Sequence, residues 1–558
     1  MTRAGDVLVS GSEAERRYRA TQSLPRGGFF RPTTQRSSPM AELDAVRDQL
    51  PRPWVQDRPD LTACYDTCVR LLFANRRTPR SGTGFVSPYL DAAFNSNVFL
   101  WDTAFITMFA RLLHPWVPSI CSLDNFYARQ YPDGEICREI SSETGLDLPW
   151  WVNLGDDDLY SFFHRDYGFR KLGSRAPEIR IEDTYHPDLG RTPDHRPLLT
   201  LDAMNNPVAA WAELLSFRQS GDLNRLERVL PPLMAYFAAL DEQLRHRSGL
   251  YVTDWASMDN SPRNDHLAFG VDTASQMVLF ADNLLEAAAI VRRAGRSVSI
   301  DEELLEARRR DVTVLVNDLM WDDARGFYFD LDANLQRVPV RTGAAFWTLV
   351  SGVAPPTRAE RLVAALDDPA AFNRPHRVPT VAADEDGYVA EGGYWRGGVW
   401  APTNQMVVAG LDRCGFPDLA RRIAANHVDA LAAIHSQEGT VFEYYSPEHL
   451  DAGANDHRDF VGWSGLGPIG FFITHVVGVS GDSETATLTW RLPRERRACG
   501  IDRYWFAGRQ VTLRAEPTPS GWTVDCDAAD GMVLVVIPDA GDAVVASLQD
   551  SAHLEVTV

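Results

Sequence analysis

Apolar residues recur at helical spacing along most of this chain. The segments 58–76, 100–113, 116–130, 206–219, 222–245, 270–294, 299–321, 340–351, 357–367, 398–413, 416–436 and 464–478 each carry such a stripe, as helices with one face toward a core do. In 270–294 it is formed by Met277, Phe280, Ala281, Leu284, Leu285 and Ala288. Twelve helical segments in succession predict six hairpins closed on themselves, so the expected fold is mainly α, an (α/α)6 barrel over residues 58–480. After about residue 481 the period changes to two. Thr485–Leu492, Gln510–Glu516, Trp522–Asp525, Met532–Ile537, Ala543–Leu548 and Leu554–Val558 predict a small C-terminal antiparallel β-sandwich over 481–558. Residues 1–57, rich in Arg, Ser, Pro and Gly, read as an irregular N-terminal arm.

Between the helices lie segments too long for simple turns: 131–205, 246–269, 368–397 and 437–462. Long connections within a compact domain tend to carry function, and these are dense in Trp, Asp, Glu and Arg. Four clusters stand out. One runs from Phe94-Asn95-Ser96-Asn97 to Leu100-Trp101-Asp102-Thr103-Ala104-Phe105, where Asp102 could equally serve the helix N-terminus. A second, Thr253-Asp254-Trp255-Ala256-Ser257-Met258-Asp259-Asn260-Ser261-Pro262-Arg263, displays Asp259 on a loop, because Asn260 and Pro262 favour turn conformations. A third, Glu391-Gly392-Gly393-Tyr394-Trp395-Arg396-Gly397-Gly398-Val399-Trp400, surrounds an arginine with aromatic rings and glycines that permit close backbone approach. The fourth places Glu443 between Phe442 and Tyr444, with Tyr445 and Trp463 nearby. A short strand there would aim Glu443 away from its two neighbours.

Composition narrows the function. Asp plus Glu number 76 against 55 Lys plus Arg, a net charge of −21, and no segregated basic face offsets it, which speaks against nucleic acid or an anionic membrane as partner. No stretch approaches the roughly 18 uncharged apolar residues of a membrane span, and Met1–Ala20 lacks the apolar run of a secretory signal. Seven cysteines, an odd number, argue against a disulfide framework, and Cys64 and Cys68 have no second pair to complete a zinc site. The expectation is a cytoplasmic protein with no metal. There are 15 Trp and 16 Tyr, whose faces can stack on sugar rings, so a small carbohydrate or glycoside is the expected partner; homo-oligomerisation is left open.

Met258-Asp259-Asn260-Ser261-Pro262-Arg263, Gly393-Tyr394-Trp395-Arg396-Gly397 and the pattern Glu443-x-Tyr445-x-Pro447 together resemble glycoside hydrolase family 63, which includes α-glucosidases and hydrolases of mannosylglycerate or glucosylglycerate, and more distantly the trehalases. Gln130-Tyr131-Pro132-Asp133-Gly134, with Arg138 and Glu139, is similar to a further loop of that family. The resemblance spans about residues 95–470. It implies an (α/α)6 barrel, hydrolysis with inversion, Asp259 as general acid and Glu443 as general base, with Trp101, Asp102, Trp395 and Arg396 at substrate-binding positions. Gln130, Asn260, Arg263, Tyr394, Trp400, Tyr445 and Trp463 complete the candidate substrate contacts. One departure is domain layout, since many family members carry an N-terminal β-domain.

The chemistry needs one protonated carboxyl for the leaving oxygen and one carboxylate to activate water from the opposite ring face. It needs no cofactor, in keeping with the lack of an HExxH, P-loop or convincing dinucleotide motif. An α-glucoside is the favoured substrate by resemblance, with α-mannosides or glycosylglycerates as the alternative. A sugar epimerase, which would call on a His pair, and a non-catalytic sugar-binding protein are the readings from other classes.

Overall fold

The structure is a computed structural model that describes residues 25–33, 40–92, 96–146, 207–253, 257–454, 456–527, 531–548 and 551–557. The expected helices fall close to their predicted places: Pro59–Ala74, Leu100–Ala110, Ala209–Ser220, Leu223–Leu244, Val271–Arg293, Glu302–Leu315, Trp347–Val350, Pro356–Asp367, Ala401–Arg413 and Pro417–Glu438. Local chemistry sets their ends. Prolines occupy the first turns of Pro59–Ala74, Pro356–Asp367 and Pro417–Glu438, where a missing N–H costs nothing. Asp222 and Asp301 cap their helices by accepting from the N–H groups of Arg225 and Leu304, each worth about 1 kcal/mol. Four predicted helices are less regular: 116–130 becomes a 3-10 turn leading into Asp124–Ala128, 299–321 ends in a π-helix over Val316–Met320, 340–351 becomes a 3-10 turn over Gly343–Phe346 before the single turn Trp347–Val350, and 464–478 becomes a 3-10 turn followed by a π-helix over Gly467–Val477.

Six segments form an inner layer in which each packs against the next. Leu100–Ala110 touches Ala209–Ser220, which touches Val271–Arg293; Trp347–Val350 and Ala401–Arg413 follow, and Trp463–Leu466 returns to Leu100–Ala110. Outside them, Leu223–Leu244 and Glu302–Leu315 lie against Val271–Arg293, while Pro417–Glu438 lies between Ala401–Arg413, Pro59–Ala74 and the π-helix. The inner helices are accordingly buried nearly all round: in Leu100–Ala110 only Trp101 is not fully buried. Val271–Arg293 is long and apolar enough to cross a membrane, but 78% of its most apolar window is buried inside the protein.

The C-terminal region holds two sheets. One has five antiparallel strands in the order Arg52–Val55, Cys499–Phe506, Arg509–Thr518, Gly521–Asp527 and Ser551–Thr557; the other has four, Val544–Ser547, Val533–Ile537, Thr487–Arg491 and Val479–Asp482. Three expectations need correction here. The segment read as an irregular arm ends in a strand, Arg52–Val55, that pairs with Cys499–Phe506. The sheets are not wholly antiparallel, because Val533–Ile537 runs parallel to Thr487–Arg491. Cys499–Phe506 itself was not expected: a bulge between Ile501 and Tyr504, with Arg503 at φ +57°, breaks the alternation that would reveal it. Trp490, fully buried, donates its indole N–H to Val477 O at 2.9 Å, and Tyr504 donates to Gln219 Oε1 at 3.0 Å. These bonds lock the sheets onto the helices.

Candidate active site

Glu443 lies just beyond the helix Pro417–Glu438, which stops at Gly439 in the left-handed conformation with φ +73°, a stop glycine makes without a Cβ penalty. The expected strand is instead a series of isolated bridges, Val399 to Tyr445 and Phe442 to Arg458. They hold Glu443 at 5% exposure. Its N–H donates to Asp456 Oδ1 at 2.9 Å and to His457 O at 3.2 Å, and its carbonyl accepts from the Trp463 indole at 2.7 Å. His457 Nε2 stands 3.8 Å from Glu443 Oε2.

Asp259 sits on a half-buried turn held by Asn264, whose amide donates to the carbonyls of Met258 and Asp259 at 2.8 and 3.0 Å. Asn260, the next residue, accepts from the Trp395 N–H at 2.9 Å and donates to Gly393 O at 3.2 Å. It thereby pins the Asp259 turn to the Tyr394–Trp395 loop. That loop is tight. Tyr394 has φ +61°, and a Cβ on Gly398 would stand 2.4 Å from Tyr394 O and 2.8 Å from the Tyr444 ring, so only glycine fits there.

The loop's rings build a wall. Trp395 and Tyr444 stack on opposite sides of Trp400, with centroids at 4.5 and 4.8 Å and planes 9° from parallel in both pairs. Tyr394 meets Trp400 edge-on at 4.9 Å, and Trp463 leans on Trp400 at 5.5 Å. Trp101 and Trp347 approach each other at 6.2 Å. Trp101, Trp347 and Trp395, with Ser257, Met258, Asp272 and Gln276, border one open cleft.

The electrostatics of the site are unusual. Burial drives the Glu443 carboxyl well above its ordinary range, and the negative charges of Asp456, Asp102 and Asp259 push it further. All three of those carboxyls therefore lie close enough for their charge to be felt at Glu443. Asp102 is pushed up to about 8 by burial, against the pull of its own backbone N–H and of Arg138, and its Oδ1 is buried with no hydrogen-bond partner. It is not a helix cap, since no side chain caps Leu100–Ala110. Asp456 is pushed up to about 7, again chiefly by burial.

Residues 173–464 match the family described as the mannosylglycerate hydrolase MGH1-like glycoside hydrolase domain. The chain belongs to this family. It is thus a glycoside hydrolase of the family 63 type. A mannosylglycerate hydrolase of Rubrobacter radiotolerans is 28% identical over 192 residues, which cover 34% of this chain and 42% of that protein. Another from Thermus thermophilus is 34% identical over 169 residues, covering 28% and 38%. The matches thus span less than half the length of these two relatives. Among solved structures, the GH63 mannosylglycerate hydrolase from a second strain of Thermus thermophilus, in complex with glucose, superposes with a TM-score of 0.53 at 20% identity, covering 74% of this chain and 99% of that one, a likeness of fold.

Within this glycoside hydrolase the structure brings Trp101, Asp102, Asp259, Asn260, Tyr394, Trp395, Trp400, Glu443 and Trp463 together. Arg396 is half-buried on the same loop, its Nε donating to Gly387 O at 3.3 Å. Three other expected contacts are placed differently. Arg263 is fully buried beneath the Asp259 turn, its guanidinium shared between Asp272, at 2.6 Å, and Asp330, at 3.0 Å. Tyr445 is fully buried, and its hydroxyl accepts from the Phe442 N–H at 3.0 Å. Gln130 is buried with its amide nitrogen on the carbonyls of Gly134 and Pro232, at 2.7 and 2.8 Å. These are packing roles. Asp254, Trp255, Ala256, Phe94 and Asn95, and most of the 131–205 loop, lie outside the described residues. Asp456, His457, Asn264 and Trp347 were missed. Asp456 and His457 stand within a segment flagged as functional, but no local motif distinguishes them.

Proposed function

We propose that the chain hydrolyses a small glycoside of the glycosylglycerate type by single displacement, on an (α/α)6 barrel, with Asp259 as general acid and Glu443 as general base. The circuit of neighbouring inner helices and the likeness to the family 63 structure support the barrel. The observation that carries the chemistry is the convergence of Asp259 and Glu443, from segments far apart in the chain, on one aromatic-walled site where the charge of one raises the other. An α-glucoside rests on the family resemblance alone. The names of the relatives favour mannosylglycerate.

In this reading the rings of Trp395 and Trp101 flank the sugar, and the unpartnered Asp102 Oδ1 takes one of its hydroxyls. Asp259, half in solvent, passes a proton to the departing oxygen. Glu443 removes one from the attacking water. A base drawn up toward the working pH is a stronger proton acceptor once ionised. The burial that raises Glu443 would also suit the reverse assignment, with Glu443 as acid. The leaving group separates the two: a 4-nitrophenyl glycoside needs little protonation, so it restores much of the rate to the variant lacking the acid and little to the variant lacking the base. Rescue of Asp259→Asn supports the assignment, and rescue of Glu443→Gln reverses it.

A sugar epimerase would call on a histidine pair. His376 and His427 are 2.8 Å apart, but both are fully buried behind Tyr445, where burial holds them neutral. The decisive assay incubates the protein with mannosylglycerate, glucosylglycerate and an α-glucoside and follows the product by proton NMR. Release of a sugar with inverted anomeric configuration is expected, fastest from a glycosylglycerate. Initial release of the retained anomer would mean a double displacement and would remove the base role from Glu443.

A further inference from the structure

Asp456 is the carboxyl bound most directly to Glu443, and neither the proposed mechanism nor the family resemblance gives it a task. Its Oδ1 accepts the Glu443 N–H at 2.9 Å. The N–H groups of Tyr444, Gly453 and His457 lie near enough to lower the same carboxyl, and the Gly453 N–H itself donates to Tyr444 O at 3.0 Å across the loop. Its Oδ2 is buried with no hydrogen-bond partner. A carboxyl used only as a loop clasp gains nothing from an unpaired, desolvated second oxygen, and an asparagine would clasp the loop as well at lower cost.

We propose that Asp456 is a positioning residue for Glu443: one oxygen fixes the Glu443 backbone, and the charge on its carboxyl governs how readily Glu443 gives up its proton. This rests on the reading of Glu443 as the base. The groups facing Glu443 are Asp456, Asp102, Asp259 and His457, and Asp456 comes first among the charges that raise it. His457 is half-exposed, and burial lowers it, so above its titration it is neutral and leaves the field to the carboxyls. Two interacting carboxyls lose their protons in two steps that belong to the pair. As the first ionises it holds the proton on the second. Asp456 thereby keeps Glu443 a strong base, and ties the acid side of the rate profile to its own titration.

The test is the pH dependence of kcat/KM for Asp456→Asn and Asp456→Ser, beside wild type and Glu443→Gln, on whichever glycoside the wild-type enzyme turns over. Both Asp456 substitutions remove the charge, and asparagine alone keeps an acceptor in reach of the Glu443 N–H. The acid limb should move to lower pH by about 1 pH unit, with kcat at the optimum falling severalfold because the base is weaker. Asp456→Ala, which loses the clasp as well, should lose at least a further tenfold in kcat with KM little changed. An acid limb that stays in place in the folded Asn or Ser variant, while Glu443→Gln is inactive, overturns the proposal and leaves the base assignment standing. Near-normal turnover by Glu443→Gln overturns the base assignment itself. If neither charge-free variant folds, a loop clasp accounts for Asp456 and the proposal fails.

Discussion

Two kinds of buried carboxyl occur in this protein, and they are treated in opposite ways. Around Arg225 and Arg263, each acid has a cation. Arg225 donates to Glu213 at 2.7 Å and Asp124 at 2.8 Å, tying the Ala209–Ser220 helix to the turn at Asp124. Arg263 joins Asp272 and Asp330. Around Glu443 no such pair forms: among the described residues no arginine or lysine is ion-paired with Glu443, Asp102 or Asp456, Arg138 acts on Asp102 only from beyond ion-pair distance, and burial chiefly sets their proton affinity. Burying a charge is tolerable when it is paired. The first group spends its charge on structure, and the second keeps protons that it can move. Burial raises Glu213 and Asp330 as well, so the missing ion pair, and not the direction of the shift, sets the second group apart.

The comparison breaks most visibly at Glu443 and Asp259. Glu443→Gln and Asp259→Asn should each lower turnover of the natural glycoside by about 10³-fold or more, with Tm unchanged or, for Glu443→Gln, higher, since a group held protonated loses little by becoming an amide. In the wild type, kcat/KM should fall on the acid side at a pH well above the ordinary glutamate value of about 4.3. The base must be ionised, its affinity for the proton is raised, and the rate is therefore lost as pH drops through that raised value. Turnover that persists at pH 4 would show that Glu443 is not the base.

Arg225→Met should do the reverse. It strands two buried acids and should cost about 3–5 kcal/mol of stability, read by denaturant unfolding, while the folded fraction keeps its kcat. A fall in kcat at unchanged stability would put Arg225 in the wrong group.

The smallest effect sharpens the contrast. Asp102 is raised to about 8 in the folded protein, against about 3.9 unfolded, so its contribution to stability is complete below the lower value and is lost as pH rises through the higher one. Asp102→Asn stays neutral throughout. Its stability advantage over wild type, read by denaturant unfolding or as Tm, should therefore grow between about pH 4 and pH 8 and then level off, reaching on the order of 1 kcal/mol or more, while sugar affinity falls. Equal Tm values at pH 5 and pH 8 would deny that Asp102 is buried neutral.

The helical body was largely legible because its pattern is local: three or four residues fix a stripe, and Gly439, Pro356 or Asp301 marks an end. The clusters holding Asp102, Asp259, Trp395 and Glu443 were legible for the same reason. Direction was not. Arg263 stands four residues from Asp259 and reads as a neighbour in the cleft, yet its side chain turns inward to Asp272 and Asp330, and sequence spacing on a loop says nothing of that. Asp456 owes its interest to burial and to a partner 13 positions away. The strand Arg52–Val55 is too short and too far from its partner to announce itself; it contains Pro53, as edge strands can.

That strand also orders events in time. Trp54 pairs opposite Gly500, roughly 450 residues downstream, and contacts so distant in the chain are the slowest to form. On a ribosome the Arg52–Val55 segment emerges before the helical body, and its partner comes out only after that body has been made. The five-stranded sheet therefore closes only after the helices between its strands exist, and its first strand must wait through all of that stretch of synthesis for its partner.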